Sequence, residues 1–149
     1  MPERVPLRAV PWLPLERITA PCADVSLAYT PGVHGSLTAV MHFSSLRDGL
    51  ANDLELRFAR PVAVTLENES SSLIDIPEPL PTIAKAGRYS GFTFPVLLIE
   101  GSAWADEYAA NVLSADEWQA HSLKHFACVS LNDLLHVLSW HEPTVRFLE

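Results

Sequence analysis

The stretch from Asp53 to Glu69 restricts this chain more than any other. Leu54, Leu56, Phe58, Val62, Val64 and Leu66 stand at even positions, while Glu55, Arg57, Thr65 and Glu67 stand at odd ones. A period of two is what a strand with one covered and one wet face requires. A helix would scatter the same residues around its circumference. Arg60 alone interrupts the apolar face, and the parity survives Pro61. Proline brings no ladder donor, so a strand that crosses it must bulge, bend or lie at a sheet edge. The expected form is one long strand bent near Arg60–Pro61. A hairpin turning at 59–61 is the alternative.

Other runs repeat the pattern. DVSLAYT at 24–30 sets Val25, Leu27 and Tyr29 on one face, and LTAVMHFSS at 37–45 does the same with Leu37, Ala39, Met41 and Phe43. PGVHG lies between them, and its proline and glycines are turn chemistry, so the two runs read as an antiparallel hairpin. FTFPVLLIEG at 92–101 and TVRFL near the end read as short strands.

The stretch from His121 to Trp140 changes period midway. Leu123, Ala127 and Val129 alternate with Phe126 and Cys128, which suits a strand covered on both faces. Leu131, Leu134, Leu135 and Leu138 then follow at i, i+3, i+4, i+7, with Ser130 placed to cap and Asp133 placed to complete a capping box. A docked helix is expected over that second half. A further helix is expected over 102–113, capped by Ser102 and carrying Trp104, Tyr108 and Val112, with a turn added at 114–121.

Prolines 2, 6, 11, 14 and 21 deny residues 1–21 a helix. The expectation is an extended arm that lays Leu7, Val10, Trp12 and Leu13 onto its own body or onto a second subunit. Prolines 77, 79 and 81 mark 70–91 as a long surface connection. With 149 residues and no boundary in sight, the chain reads as one domain. The fold class expected is mainly β with α (α+β): an antiparallel, partly sandwiched sheet with two or three short helices.

Composition narrows the function classes. The net charge of −8 repels phosphate backbones, so nucleic acid is not an expected partner; the charge would suit a basic partner, but an acidic surface is also simply a route to solubility. The longest strongly apolar run, PVLLI at 95–99, is too short to span a bilayer as a helix, so no membrane is expected and the compartment expected is the cytoplasm. Cys22 and Cys128 are too few for a disulfide framework. Cys128 reads as a core residue, and pairing of the two is left open.

Motifs for chemistry are missing from the sequence. It has no HExxH, CxxC, GxSxG, GxGxxG or GxxxxGK. His121 and His125 on one strand would stand roughly 13 Å apart by strand rise, too far to share a zinc ion. No metal or cofactor is therefore expected. The residues that stand out for binding are Trp12 and Trp118, as aromatics not placed on a core stripe, together with Arg60 and His125. The first reading is a non-enzymatic interaction protein of immunity or adaptor type, forming a homodimer through its arm and meeting a basic partner. The alternative is an enzyme whose site is assembled from distant residues around His121, His125 and Arg60.

Overall fold

The alternating stretch makes two strands and a corner. This is a computed structural model, describing residues 6–12, 22–31, 35–43, 53–68, 74, 80–83, 93–112 and 123–148. Strand β4 (Asp53–Ala59) ends at Arg60, and β5 (Ala63–Asn68) begins just past Pro61. Leu54, Leu56 and Phe58 are fully buried, and Val64 packs on the same core. The two strands lie in different sheets. β4 belongs to a four-stranded antiparallel sheet of order β2-β3-β4-β9, and β5 to a five-stranded one of order β1-β6-β7-β8-β5. The bend expected near Arg60–Pro61 is present, but it separates two strands in different sheets, and no hairpin turns at 59–61. The chain bends at Arg60–Pro61 and passes from one sheet to the other, as strands do at the corners of packed sheets.

The partner strands make the same passage. β8 (Asp133–Ser139) pairs with β5, and β9 (Thr144–Leu148) pairs with β4. Asp53 faces Leu148; ten residues on, Ala63 faces Leu138, ten residues back. The register therefore runs through the corner without a slip. One bent two-stranded ribbon is shared by both sheets. Arg60 takes up the bend with a φ of 48°, and its N–H donates to the Gly35 carbonyl at 2.9 Å. Its side chain is exposed, so the charge escapes the apolar face.

The remaining strands extend the ribbon on either side. β2 (Asp24–Thr30) and β3 (Ser36–His42) form the expected hairpin and continue from β4. β7 (Lys124–Val129), β6 (Val96–Glu100) and β1 (Arg8–Pro11) continue from β8. The main core lies between the sheets. Phe58 meets Phe126 at 5.6 Å between ring centroids, and Trp12 meets Phe126 at 5.7 Å, both edge to face. Cys22 and Cys128 are both free and buried in this core.

One helix occurs among the described residues, α1 (Ala103–Val112), capped as expected by Ser102, whose Oγ accepts the Ala105 N–H at 3.1 Å. It packs Trp104, Ala105 and Tyr108 over Ala63 and Leu138, on the outer face of the five-stranded sheet. The turn expected at 114–121 lies outside the described residues.

The helix expected after Ser130 is instead β8. Its inner side chains (Leu135, Val137) face the core between the sheets, and its outer ones (His136, Leu138) face α1 and the half-buried residues beside it. A strand covered on both faces is apolar at every position, and such a run imitates a helical stripe. Ser130 and Asp133 close the β7–β8 hairpin rather than cap a helix. The Ser130 N–H donates to the Asp133 carbonyl at 2.9 Å, and the Asp133 N–H to Ser130 Oγ at 3.0 Å. Leu131, the first residue of the supposed stripe, is exposed at the tip.

Residues 8–12 of the arm lie on their own body, with Trp12 only 5% exposed. Within the 70–91 connection, Ile83 is buried in the core and Thr82 bridges to Thr93.

Leu135 has no exposed surface, so Leu135→Ala should cost about 2–5 kcal/mol in urea unfolding. An unchanged midpoint would contradict the packing. Arg60→Gly should leave stability unchanged or raise it by up to about 1 kcal/mol, because glycine relieves the left-handed conformation but frees the unfolded chain. A clear loss would show that the arginine side chain supports the corner.

Candidate functional site

Two histidine-centred groups stand on opposite sides of the molecule, and each is built by strand register. The first lies under α1. His125 on β7 and His136 on β8 point to the outer face of the five-stranded sheet, where both are fully buried. His125 Nδ1 is 2.7 Å from Ser102 Oγ, and its Nε2 is 2.8 Å from His136 Nδ1. His136 Nε2 lies 3.2 Å from Glu67 Oε1, off the axis of a well-formed hydrogen bond. Trp104 presses on both rings, at centroid distances of 5.1 Å and 5.9 Å.

The carboxylate sets the direction of this chain. A lone pair on His136 Nε2 would face the negative Glu67, so the proton belongs on that nitrogen. His136 Nδ1 then accepts from His125 Nε2–H, and His125 Nδ1 accepts the Ser102 hydroxyl proton. Ser102 Oγ keeps its acceptor role toward Ala105. With both imidazoles neutral, every proton in the row has one assigned place. Burial lowers the pKa of His125 from its ordinary value of 6.5, and the neighbouring His136 pushes the same way. Burial also lowers that of His136, against the opposing pull of Glu67.

The second group lies on the outer face of the four-stranded sheet. His42 ends β3, with Asp24 opposite it on β2 and Asp53 beside it on β4. Ser26 Oγ is 2.9 Å from His42 Nε2, and His42 Nδ1 is 2.9 Å from Asp53 Oδ2. A carboxylate oxygen of Asp24 stands 3.7 Å from the same Nε2. Ser26 is exposed and His42 partly so.

A third feature is apolar. On the inner parity of β2, Val25, Leu27 and Tyr29 face the same way as the fully buried Leu37, Ala39 and Met41 of β3. Yet Leu27 is 36% exposed and Tyr29 50%. Among the described residues β2 is the last strand of its sheet.

The residues singled out from sequence fare differently. His125 is held in the buried row with Ser102, His136 and Glu67. Arg60 sits exposed at the sheet corner and has no part in that row. Trp12 is a core residue rather than an exposed platform. Trp118 and His121 lie outside the described residues. Sequence reasoning missed Ser26, His42, Asp53, Ser102 and His136 as cluster members. The register of the β2–β3 and β7–β8 hairpins would have brought Ser26 to His42 and His125 to His136; Asp53, Ser102 and Glu67 arrive from elements more distant in the chain.

Burial raises both cysteine thiols to about 12, so neither serves as a thiolate nucleophile. Among the described residues, no group of three His, Cys, Asp or Glu side chains is arranged to hold a metal ion. None of them forms a helix long and apolar enough to cross a membrane. No family model, curated protein or solved structure matches the chain.

The buried row gives the fold a sign for its pH dependence. His125 and His136 resist protonation when folded, whereas in the unfolded chain they take up protons below about 6.5. Their contribution to stability is complete above pH 6.5 and is lost as pH falls toward the depressed folded values. Urea unfolding should show stability dropping by about 1–3 kcal/mol per pH unit from 6.5 to 5, above the range where carboxylates titrate. A flat profile across that window would contradict a neutral buried pair.

Proposed function

We propose that this chain is an interaction protein that takes up an extended segment of a partner protein along β2. The observation that carries the reading is the exposed inner-parity pair Leu27 and Tyr29 on a seven-residue edge strand. Natural edge strands are blunted by charge, proline or brevity. β1 has four residues and includes Arg8 and Pro11, β5 carries Glu67, and β9 carries Arg146. β2 carries only Asp24, at its start, and from Val25 to Thr30 it bears no charge. No described residue pairs with its far side. Its free backbone groups offer ladder bonds to an added strand, and alternate side chains offer specificity.

The chemistry of the partner segment follows from the two faces of β2. An added strand would place alternate residues beside Val25, Leu27 and Tyr29, where apolar side chains fit. The others would lie on the side of Asp24, whose carboxylate side chain is 67% exposed. With a net charge of −8 behind it, that side favours lysine or arginine. The occupant is a strand alternating apolar and basic residues.

Seven-residue peptides alternating valine with lysine test this directly. They should shift the β2 amide resonances of the full chain, and Leu27→Lys should weaken binding by at least about tenfold. Glutamate in place of lysine in the peptide should weaken it by a similar factor. Shifts that map elsewhere, or no binding at millimolar peptide, would overturn the reading.

A further inference from the structure

The outer face of β2 carries a second feature. Ser26, His42 and Asp53 come from three neighbouring strands and stand in a row. The serine oxygen meets Nε2, and the carboxylate meets Nδ1, each at 2.9 Å. This assignment of nitrogens is the one a nucleophilic serine requires. Asp53 Oδ2, at 2.9 Å from Nδ1, is nearer than Asp24 Oδ1, at 3.7 Å from Nε2, so Asp53 holds the Nδ1–H tautomer and leaves the Nε2 lone pair for the hydroxyl proton. Ser26 is exposed, so an acyl group can reach it.

We propose that Ser26 is the nucleophile of an acyl-transfer site, with His42 its general base and Asp53 the group that orients the imidazole. Ser26 Oγ attacks the carbonyl carbon of an ester while its proton passes to His42 Nε2. The tetrahedral intermediate collapses, the bond to the alkoxy oxygen breaks, and the leaving alcohol takes the proton from His42. Water then attacks the acyl-serine by the same route, and the sum is ester plus water giving acid plus alcohol. In an antiparallel edge strand alternate N–H groups point away from the neighbour. Either Ser26 or Leu27 therefore directs its N–H outward, where it can donate to the oxyanion. The Asp24 carboxylate, 3.7 Å from His42 Nε2, sets the substrate class: neutral or cationic esters, and not anionic ones.

Leu27 and Tyr29 lie on the other face of β2, so this site and the docking edge are separable by mutation. The test is covalent labelling of the full chain with an alkyl fluorophosphonate, followed by peptide mapping. The adduct should fall on Ser26 and vanish in Ser26→Ala. Labelling should slow by roughly a hundredfold in His42→Gln. A Ser26→Cys variant gives a second readout. Its alkylation by iodoacetamide should depend on His42, because a thiol beside a base reacts as the thiolate. A folded protein that shows no adduct on Ser26, or equal labelling with and without His42, would overturn the assignment. So would a thiol in the Ser26→Cys variant that reacts at the same rate whether or not His42 is present.

Discussion

The rest of the structure depends on one bent ribbon. β4 and β5 run as a single stretch against β9 and β8, and the register is the same on both sides of the corner. Two sheets that merely stacked could slide over one another. These cannot, because a shift in one would have to pass through the ladder of the other. A one-residue slip would also turn every side chain of the ribbon to the wrong face. The apolar set on β4 and the buried set on β8 therefore fix each other across a bend that Arg60 and Pro61 make possible. The bend uses the two properties that disturb the strand pattern in the sequence. Pro61 has no N–H to lose from a ladder, and Arg60 enters the left-handed region and turns its charge outward.

The ribbon also explains why a polar row can be buried beneath α1. His136 and Glu67 reach each other because β5 and β8 are neighbours at this register, and His125 reaches His136 because β7 pairs with β8. Ser102 arrives from the opposite direction, at the point where β6 leaves the sheet and α1 begins. Gly101 makes that turn with a φ of 68°, a conformation glycine adopts without the cost a Cβ would impose. A buried imidazole without partners would be costly. Two that share a proton direction set by a carboxylate are satisfied almost throughout, with the link to Glu67 the least well aligned.

Much of the strand content is legible in the sequence because period two is written locally. The hairpin of 24–42, the alternation of 53–68, the Ser102 cap and the final TVRFL strand all follow from neighbouring residues. What is not legible depends on distant cover. The helix expected over 130–138 is a strand because β8 is covered by the core on one side and by the α1 layer on the other. Nothing within those residues distinguishes that situation from a helix packed on one side. The sheet switch at Pro61 is equally hidden, since a bend and a change of sheet leave the same parity behind. His125 stands out in the sequence, but its partners are 11 and 23 residues away, at His136 and Ser102. Only register connects them.

Burial and exposure divide the two histidine groups by what each can do. In the row under α1, the donors and acceptors other than His136 Nε2 are committed inside the fold, and both rings are buried away from solvent. Its role is to hold β5, β7, β8 and α1 in one arrangement. The Ser26–His42–Asp53 row uses the same residue types in the opposite setting. Its serine is open to solvent, its base is partly covered, and Asp53 Oδ1 is closed off from water. The sheet holds these side chains in place because successive strands are fixed about 4.8 Å apart. An edge strand adds outward N–H groups that an interior strand would spend on its neighbour. The two parities of β2 differ in the same way: Val25, Leu27 and Tyr29 lie on the apolar side, and Ser26 lies on the side of His42.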